Sequence, residues 1–251
     1  MNTATWRNRA LLALAACGVA ATALSQVDSI AVGTFSTLRA GTALPANWKP
    51  LGVSTSVPPT RYTLVDDGGV TVVRAESNAS VSGLTRAIAV NPADFPLLKW
   101  RWKINQILKT SDIRTKEGDD YPARIYVMFD YPLDKLSFAD RTKLRIARAL
   151  HDPNLPAATL CYVWDSKAPA GTIVPSSYTN LMRMIVVESG ATRVNQWIAV
   201  ERNIAADFKA AFGSDAPTVS AVAIATDTDN TGESAVAFYG DISFNKQQLK
   251  K

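Results

Sequence analysis

The chain has 251 residues, of which 47% are hydrophobic and 20% charged, with a formal net charge of +5. That balance excludes a disordered chain, a collagen-like repeat and a multi-span membrane protein. Two cysteines and a single histidine, His151, are too few for a disulfide framework, a four-ligand zinc site or any mechanism that needs a histidine cluster.

In chain order, the first signal is for export. Arg7 and Arg9 precede an uncharged apolar run from Ala10 to Leu24, followed by small residues before Gln26. A basic start, an apolar centre and a small-residue exit describe a secretory signal peptide over residues 1–25, cleaved to leave a periplasmic or secreted protein. The run is shorter than the roughly 20 residues that span a bilayer, so no transmembrane span is expected. A second reading takes Leu14-Ala15-Ala16-Cys17 as a lipobox, which would make the product a lipoprotein anchored through Cys17. Because Gly18 to Leu24 is still apolar, cleavage near residue 25 fits better. Removal of Arg7 and Arg9 leaves 25 basic against 22 acidic side chains, a net +3. That is too little to argue for a nucleic-acid partner.

Residues 26–251 read as one domain, with no linker or internal repeat. Short β-type segments recur between turn residues. Arg61–Asp66 and Val70–Ala75 flank Asp67-Gly68-Gly69, a tight hairpin signal. Leu84–Val90 follows. In Leu97–Asn105, Leu98, Trp100, Trp102 and Ile104 alternate with Lys99, Arg101 and Lys103, the mark of a half-buried strand. Ala123–Asp130 repeats the pattern, with Ile125, Val127 and Phe129 on one face and Arg124 and Tyr126 on the other. Further strands are predicted at Thr159–Trp164, Met182–Glu188, Trp197–Arg202, Val219–Thr226 and Ala235–Phe244. Two helices interrupt them: Phe138–Leu150, capped by Ser137 with Asp140 completing a capping box, and Ala205–Phe212, ending at Gly213. About ten strands and two short helices indicate an all-β, antiparallel β-sandwich rather than a βαβ fold. Cys161, alone in an apolar run without a nearby base, is expected as a small buried hydrophobe.

Candidate chemistry concentrates in two acidic loops. Thr110–Pro122 carries Glu117, Asp119 and Asp120 beside Arg114 and Lys116. Three carboxylates on one loop suit Ca²⁺, which takes six to eight oxygens. Two of them suit acid–base work on a glycosidic bond. A charge-balanced solvated loop explains the same composition. Thr226–Ser234 begins Asp227-x-Asp229-x-Thr-Gly, resembling a calcium loop, and Asp227 and Asp229 are the candidate ligands. The acid expected at the twelfth position is missing, so this is no EF-hand, and Asx-turn chemistry accounts for it equally well.

If Trp100 and Trp102 face the core, the opposite face offers Lys99, Arg101 and Lys103, with Arg124 and Tyr126, or Arg183, expected from neighbouring strands. Arginine suits carboxylate, sulfate or phosphate recognition. The loop Asp165–Asn180, rich in glycine, proline and hydroxyls, is long enough to suggest a binding rim. The arginines of Phe138–Leu150 suggest a solvated helix face or contact with anionic lipid.

The blocks Trp100–Lys103, Arg114–Arg124, Arg183–Gly190 and Thr226–Ser234 together resemble the bacterial family designated domain of unknown function 3047, over roughly Phe35 to Phe244. The resemblance implies a secreted bacterial protein and no particular activity. The closing strand Ala237–Phe244 is also similar to the last strand of galactose-binding jelly rolls. These observations favour a non-catalytic module that binds carbohydrate, such as an acidic envelope polysaccharide. The expected site is Arg101, Arg124 and Tyr126 on a sheet face, with Glu117, Asp119 and Asp120 at its rim. On that reading, replacing both arginines removes binding and leaves the fold intact. Two alternatives stand: a glycosidase or lyase using a carboxylate pair from Glu117, Asp119, Asp120 and Asp227, and an interaction partner in an envelope assembly, working through Phe138–Leu150.

Overall fold

A computed structural model describes residues 28–247 except 53–55 and 151–154. The export signal, Cys17 and His151 lie outside the described residues. Two sheets face each other. The first contains β1 (Ser29–Gly33), β3 (Arg61–Asp66), β4 (Thr71–Asn78), β6 (Leu97–Ile104), β11 (Ile198–Asn203) and β13 (Ser234–Asn245). Its order is β11-β6-β13-β4-β3, with β1 paired to the second half of β13. The second contains β2 (Lys49–Leu51), β5 (Gly83–Val90), β7 (Arg124–Phe129), β8 (Ala158–Asp165), β9 (Ile173–Pro175), β10 (Met182–Ser189) and β12 (Val219–Ala225). Its order is β2-β5-β12-β7-β8-β10-β9. The protein is therefore an all-β sandwich, and β4 to β7 alternate between the sheets as in a jelly roll. It departs from a purely antiparallel sandwich at β8 and β10, which run parallel.

The strands that the sequence does not announce are the short β1, β2 and β9. The last two form the edges of the second sheet and carry Pro50 and Pro175. Proline cannot donate to a ladder, so it is tolerated at an edge and helps to end pairing there.

Alternation puts the aromatic residues between the sheets. Trp100 and Trp102 are 3% and 0% exposed, and Trp102 meets Trp100 edge-on with centroids 5.5 Å apart. Across the sandwich, Trp100 packs on Tyr162 at 5.4 Å and Trp102 on Trp164 at 6.2 Å. Ile125, Val127 and Phe129 supply the facing surface from β7.

The two helices are closed as their ends predict. At α1 (Phe138–Leu150) the Asp140 N–H donates to Ser137 Oγ at 3.0 Å, and that hydroxyl donates to the Asp140 carboxylate at 2.7 Å. At α2 (Ile204–Phe212) the chain leaves through Gly213 at φ +76°, a left-handed turn that favours glycine.

The β3–β4 hairpin turns through Gly68 and Gly69, both at positive φ, and closes with the Asp67 N–H donating to Val70 O at 3.0 Å. The Asp67 carboxylate then accepts from Lys103 Nζ at 2.7 Å and from Trp197 Nε1 at 2.6 Å, locking the turn to β6. The lysine bond holds the Asp67 carboxyl below the usual carboxylate range, against the opposing effect of burial. Its stabilisation is therefore complete above the unfolded value near pH 4 and is lost as pH falls through the lowered folded value. Asp67→Ala is expected to cost about 1 kcal/mol in denaturant unfolding at neutral pH. The difference from the parent should shrink in the same measurement near pH 2–3.

Candidate functional site

The outer face of the second sheet carries the candidate site. Ladder register fixes three parallel rows of side chains across it. Ala87, Ala221, Met128, Thr159 and Met182 form the first row, from β5, β12, β7, β8 and β10 in turn. Thr85, Ala223, Tyr126, Cys161 and Met184 form the second. Ala225, Arg124, Val163 and Val186 belong to the third. Successive rows stand two residues apart, about 7 Å.

Apart from the buried Thr159, the first row is open. It floors a groove of about 1420 Å³, whose lining also includes Lys143, Leu144, Ala147 and Arg148 of α1 and residues 176–182. Tyr126 of the second row reaches its end, and Lys49 of β2 and Asp130 stand along its margin. Alanines at 87 and 221 leave the space that larger side chains would fill. The volume exceeds the roughly 300–1,000 Å³ of common small-molecule pockets, so it suits an extended occupant. The loop Ile107–Pro122 and the segment Ser166–Pro175 cover the other end of the face. There Ile113, Tyr121, Cys161, Val163, Met184 and Val186 make a second, smaller core. Cys161 is buried in it, as its apolar setting predicts, and burial pushes its thiol up to about 12, away from nucleophilic use.

Under this cover lies a buried acidic centre. Arg124, 3% exposed, pairs with Asp227; its Nε donates to Asp227 Oδ1 at 2.8 Å and its Nη2 to Asp119 O at 3.1 Å. Its guanidinium lies 4.8 Å from the Tyr121 ring centroid. Tyr121 N–H donates to Asp227 Oδ1 at 3.3 Å. Asp120 is fully buried and accepts from Thr231 N–H at 2.6 Å and Thr231 Oγ1 at 2.7 Å. Burial pushes the Asp119 carboxyl up against the pull of Arg124, and burial with the charge of Asp120 does the same to Asp229.

The two acidic loops are bound to each other. Glu233 accepts from Lys109 N–H at 3.0 Å, Thr110 N–H at 2.9 Å and Thr110 Oγ1 at 2.8 Å. Burial opposes its ionisation, but these donors hold it below the usual carboxylate range. Within the first loop a Cβ on Gly118 would stand 2.4 Å from Asp112 N, so the crossing of the chain there admits only glycine.

A family model described as "Protein of unknown function (DUF3047)" matches residues 46–243, which runs from just before β2 almost to the end of β13. The chain belongs to the DUF3047 family. No curated protein matches the sequence. Among solved structures, the glycoside hydrolase domain of Endo-D from Streptococcus pneumoniae R6 is similar at 10% identity with a TM-score of 0.34. That match covers 81% of this chain but 22% of the other.

In this DUF3047 domain the expected site residues divide. Arg124 and Tyr126 do share a face, but Arg101 does not share it. Its strand, β6, pairs with β11 and β13 in the first sheet, whereas β7 pairs with β8 and β12 in the second. Arg101 instead lies over the Trp197 ring, 4.5 Å from its centroid, on the opposite side of the molecule. Arg124 is not displayed to solvent either; it is the counter-charge of the acidic centre. Glu117 is exposed on its loop, while Asp119 and Asp120 are buried, so the three do not form one open rim. The structure does bring Asp120 together with Asp227 and Asp229, one residue from the first loop with two from the second. The segment expected as a rim supplies Ser176, Ser177, Tyr178, Thr179 and Asn180 to the groove. Sequence reasoning missed Met128 and Ala221, and it assigned Lys143 with the helix arginines to a solvated or lipid-facing side instead of to this groove. Small residues at alternate strand positions were the one signal that a face had been left open.

Proposed function

We propose that this DUF3047 domain is an exported, non-catalytic carbohydrate-binding module whose groove on the second sheet holds an extended acidic oligosaccharide. The observation that carries this reading is the groove's division into an apolar floor and a hydroxyl- and amide-bearing rim. A sugar ring has the same division, with an apolar C–H face and a polar edge. Tyr126 and Tyr178 offer ring faces, and aromatic rings pair an apolar surface with a polar tip. Ser176, Ser177, Thr179 and Asn180 offer donors and acceptors. Lys49, Lys143 and Arg148 outnumber Asp130 and Asp140 along the margin, which favours an acidic chain over a neutral one.

Hydrolysis by a carboxylate pair is the less favoured reading. Asp119, Asp120 and Asp227 are buried, and the carboxylates of Asp227 and Asp120 accept hydrogen bonds from Arg124 and Thr231 of the protein itself.

Thermal melts of the mature chain with acidic and neutral oligosaccharides test the proposal, together with Ala221→Trp, which fills the groove from β12 with a residue that strands accept. A ligand at about 100 times its Kd adds about 2.7 kcal/mol of apparent stability. For a domain of this size that is a rise of about 5–10 °C. The parent should show the rise with acidic chains, their length unchanged, and Ala221→Trp should fold but lose it. An equal rise in Ala221→Trp, or none in the parent with any sugar, contradicts the proposal. Shortening of the chains would favour the enzyme.

A further inference from the structure

One carboxylate oxygen from each of Asp120, Asp227 and Asp229 lies within 4.8 Å of the other two. Acidic residues gather on many loops without an ion, but two further features set this group apart. The Asp120 carboxylate is fully buried; Thr231 occupies its Oδ2, while its Oδ1 has no hydrogen-bond donor. Asp119, 6% exposed, is buried beside it and has the Tyr121 side chain as a neighbouring donor. Buried carboxylate oxygens normally have hydrogen-bond or metal partners, and one without them calls for a cation.

The second feature is the charge balance. Asp119, Asp120, Asp227 and Asp229 sit around the one guanidinium of Arg124, which is committed to the Asp227 carboxylate and the Asp119 carbonyl. Ionised, the four acids exceed it by three charges. A divalent ion would reduce that excess to one.

We propose that this centre binds a single Ca²⁺ ion, with Asp120 and Asp229 as its principal ligands. The donor set is all oxygen, with no imidazole or thiolate, which selects a hard cation over zinc or copper. Its oxygens come from two irregular loops. Ca²⁺ tolerates such variable geometry, whereas Mg²⁺ demands a near-ideal octahedron. Asp227 has both oxygens turned to Arg124 and acts mainly by holding that charge in place. The site also reaches the groove, because Asn230, next to Asp229, donates to Lys116 O at 2.8 Å and Tyr178 Oη at 3.0 Å. The ion proposal stands apart from the carbohydrate reading, since its test uses no sugar.

The test is calorimetric titration of the EDTA-treated mature protein with CaCl₂ and with MgCl₂, paired with thermal melts in each. One Ca²⁺ per chain, with a Kd below about 1 mM, a higher Tm and weaker Mg²⁺ binding is expected. Asp120→Asn and Asp229→Asn should each weaken Ca²⁺ binding at least about 10-fold, whereas Glu117→Gln, exposed on the same loop, should not. Because Asp120→Asn alters a buried position, the half-buried Asp229→Asn is the decisive variant. Absence of Ca²⁺ heat and of a Tm shift in the folded parent would overturn the site. So would undiminished binding in folded Asp229→Asn. Either result would mean that a proton or water satisfies the orphaned Asp120 oxygen.

Discussion

Replacing Arg124 by alanine is expected to lower stability by about 3–5 kcal/mol, measured by urea unfolding at neutral pH. The guanidinium is 3% exposed and bonded to Asp227 and to the Asp119 carbonyl. Its removal strands a buried carboxylate among three other acids, and the cost of an unpaired buried charge exceeds the worth of the pair itself. The double replacement Arg124→Met with Asp227→Leu should therefore recover much of the loss, since neither charge then has to be solvated. This revises what the sequence suggests, that the two arginines can be removed with the fold intact. That outcome remains expected for Arg101, which lies half-buried over Trp197. A loss below about 1 kcal/mol in Arg124→Ala would mean that water reaches the centre and screens it.

Trp102→Ala should cost a similar amount, about 3–5 kcal/mol, for a different reason. Trp102 is fully buried between the sheets, in contact with Trp100 and Trp164, so truncation leaves a cavity that neighbouring strands can only partly close. Trp102→Phe should cost far less. Its ring fills part of the space, and it also removes an indole N–H that has no hydrogen-bond partner in the core. Denaturant midpoints for the two variants check this, and equal losses would mean that the indole donor is satisfied by water after all.

The sequence and the structure agree where the information is local. Leu97–Ile104 alternates strictly and Arg124–Phe129 does so from Ile125 onward, so their inward faces are legible as they stand. Ser137 and Gly213 mark their helix ends for equally local reasons, a side-chain acceptor and a left-handed turn. Sheet membership is not local. Nothing within Trp100–Lys103 tells that β6 pairs with β13 while β7 pairs with β12, and so Arg101 and Arg124 look like neighbours on paper. The burial of Arg124 was hidden for a related reason: its partner Asp227 stands 103 residues away. The acidic loops were visible as compositions, but their meeting depends on Glu233 reaching Lys109 and Thr110 across the fold. The groove was nearly silent, because it is made of what is absent. Ala87 and Ala221 are ordinary strand residues until register places them side by side in the groove that α1 also lines.

Whether a carbohydrate sits in the groove on the second sheet can be tested with the protein's own methionines. Met128 and Met182 line the groove, while Met184 is fully buried in the smaller core beside it and serves as an internal control. In a methyl-labelled NMR titration with an acidic oligosaccharide, the Met128 and Met182 resonances should shift saturably while Met184 stays in place. Saturable binding that leaves Met128 and Met182 unmoved would put the ligand elsewhere and contradict the account.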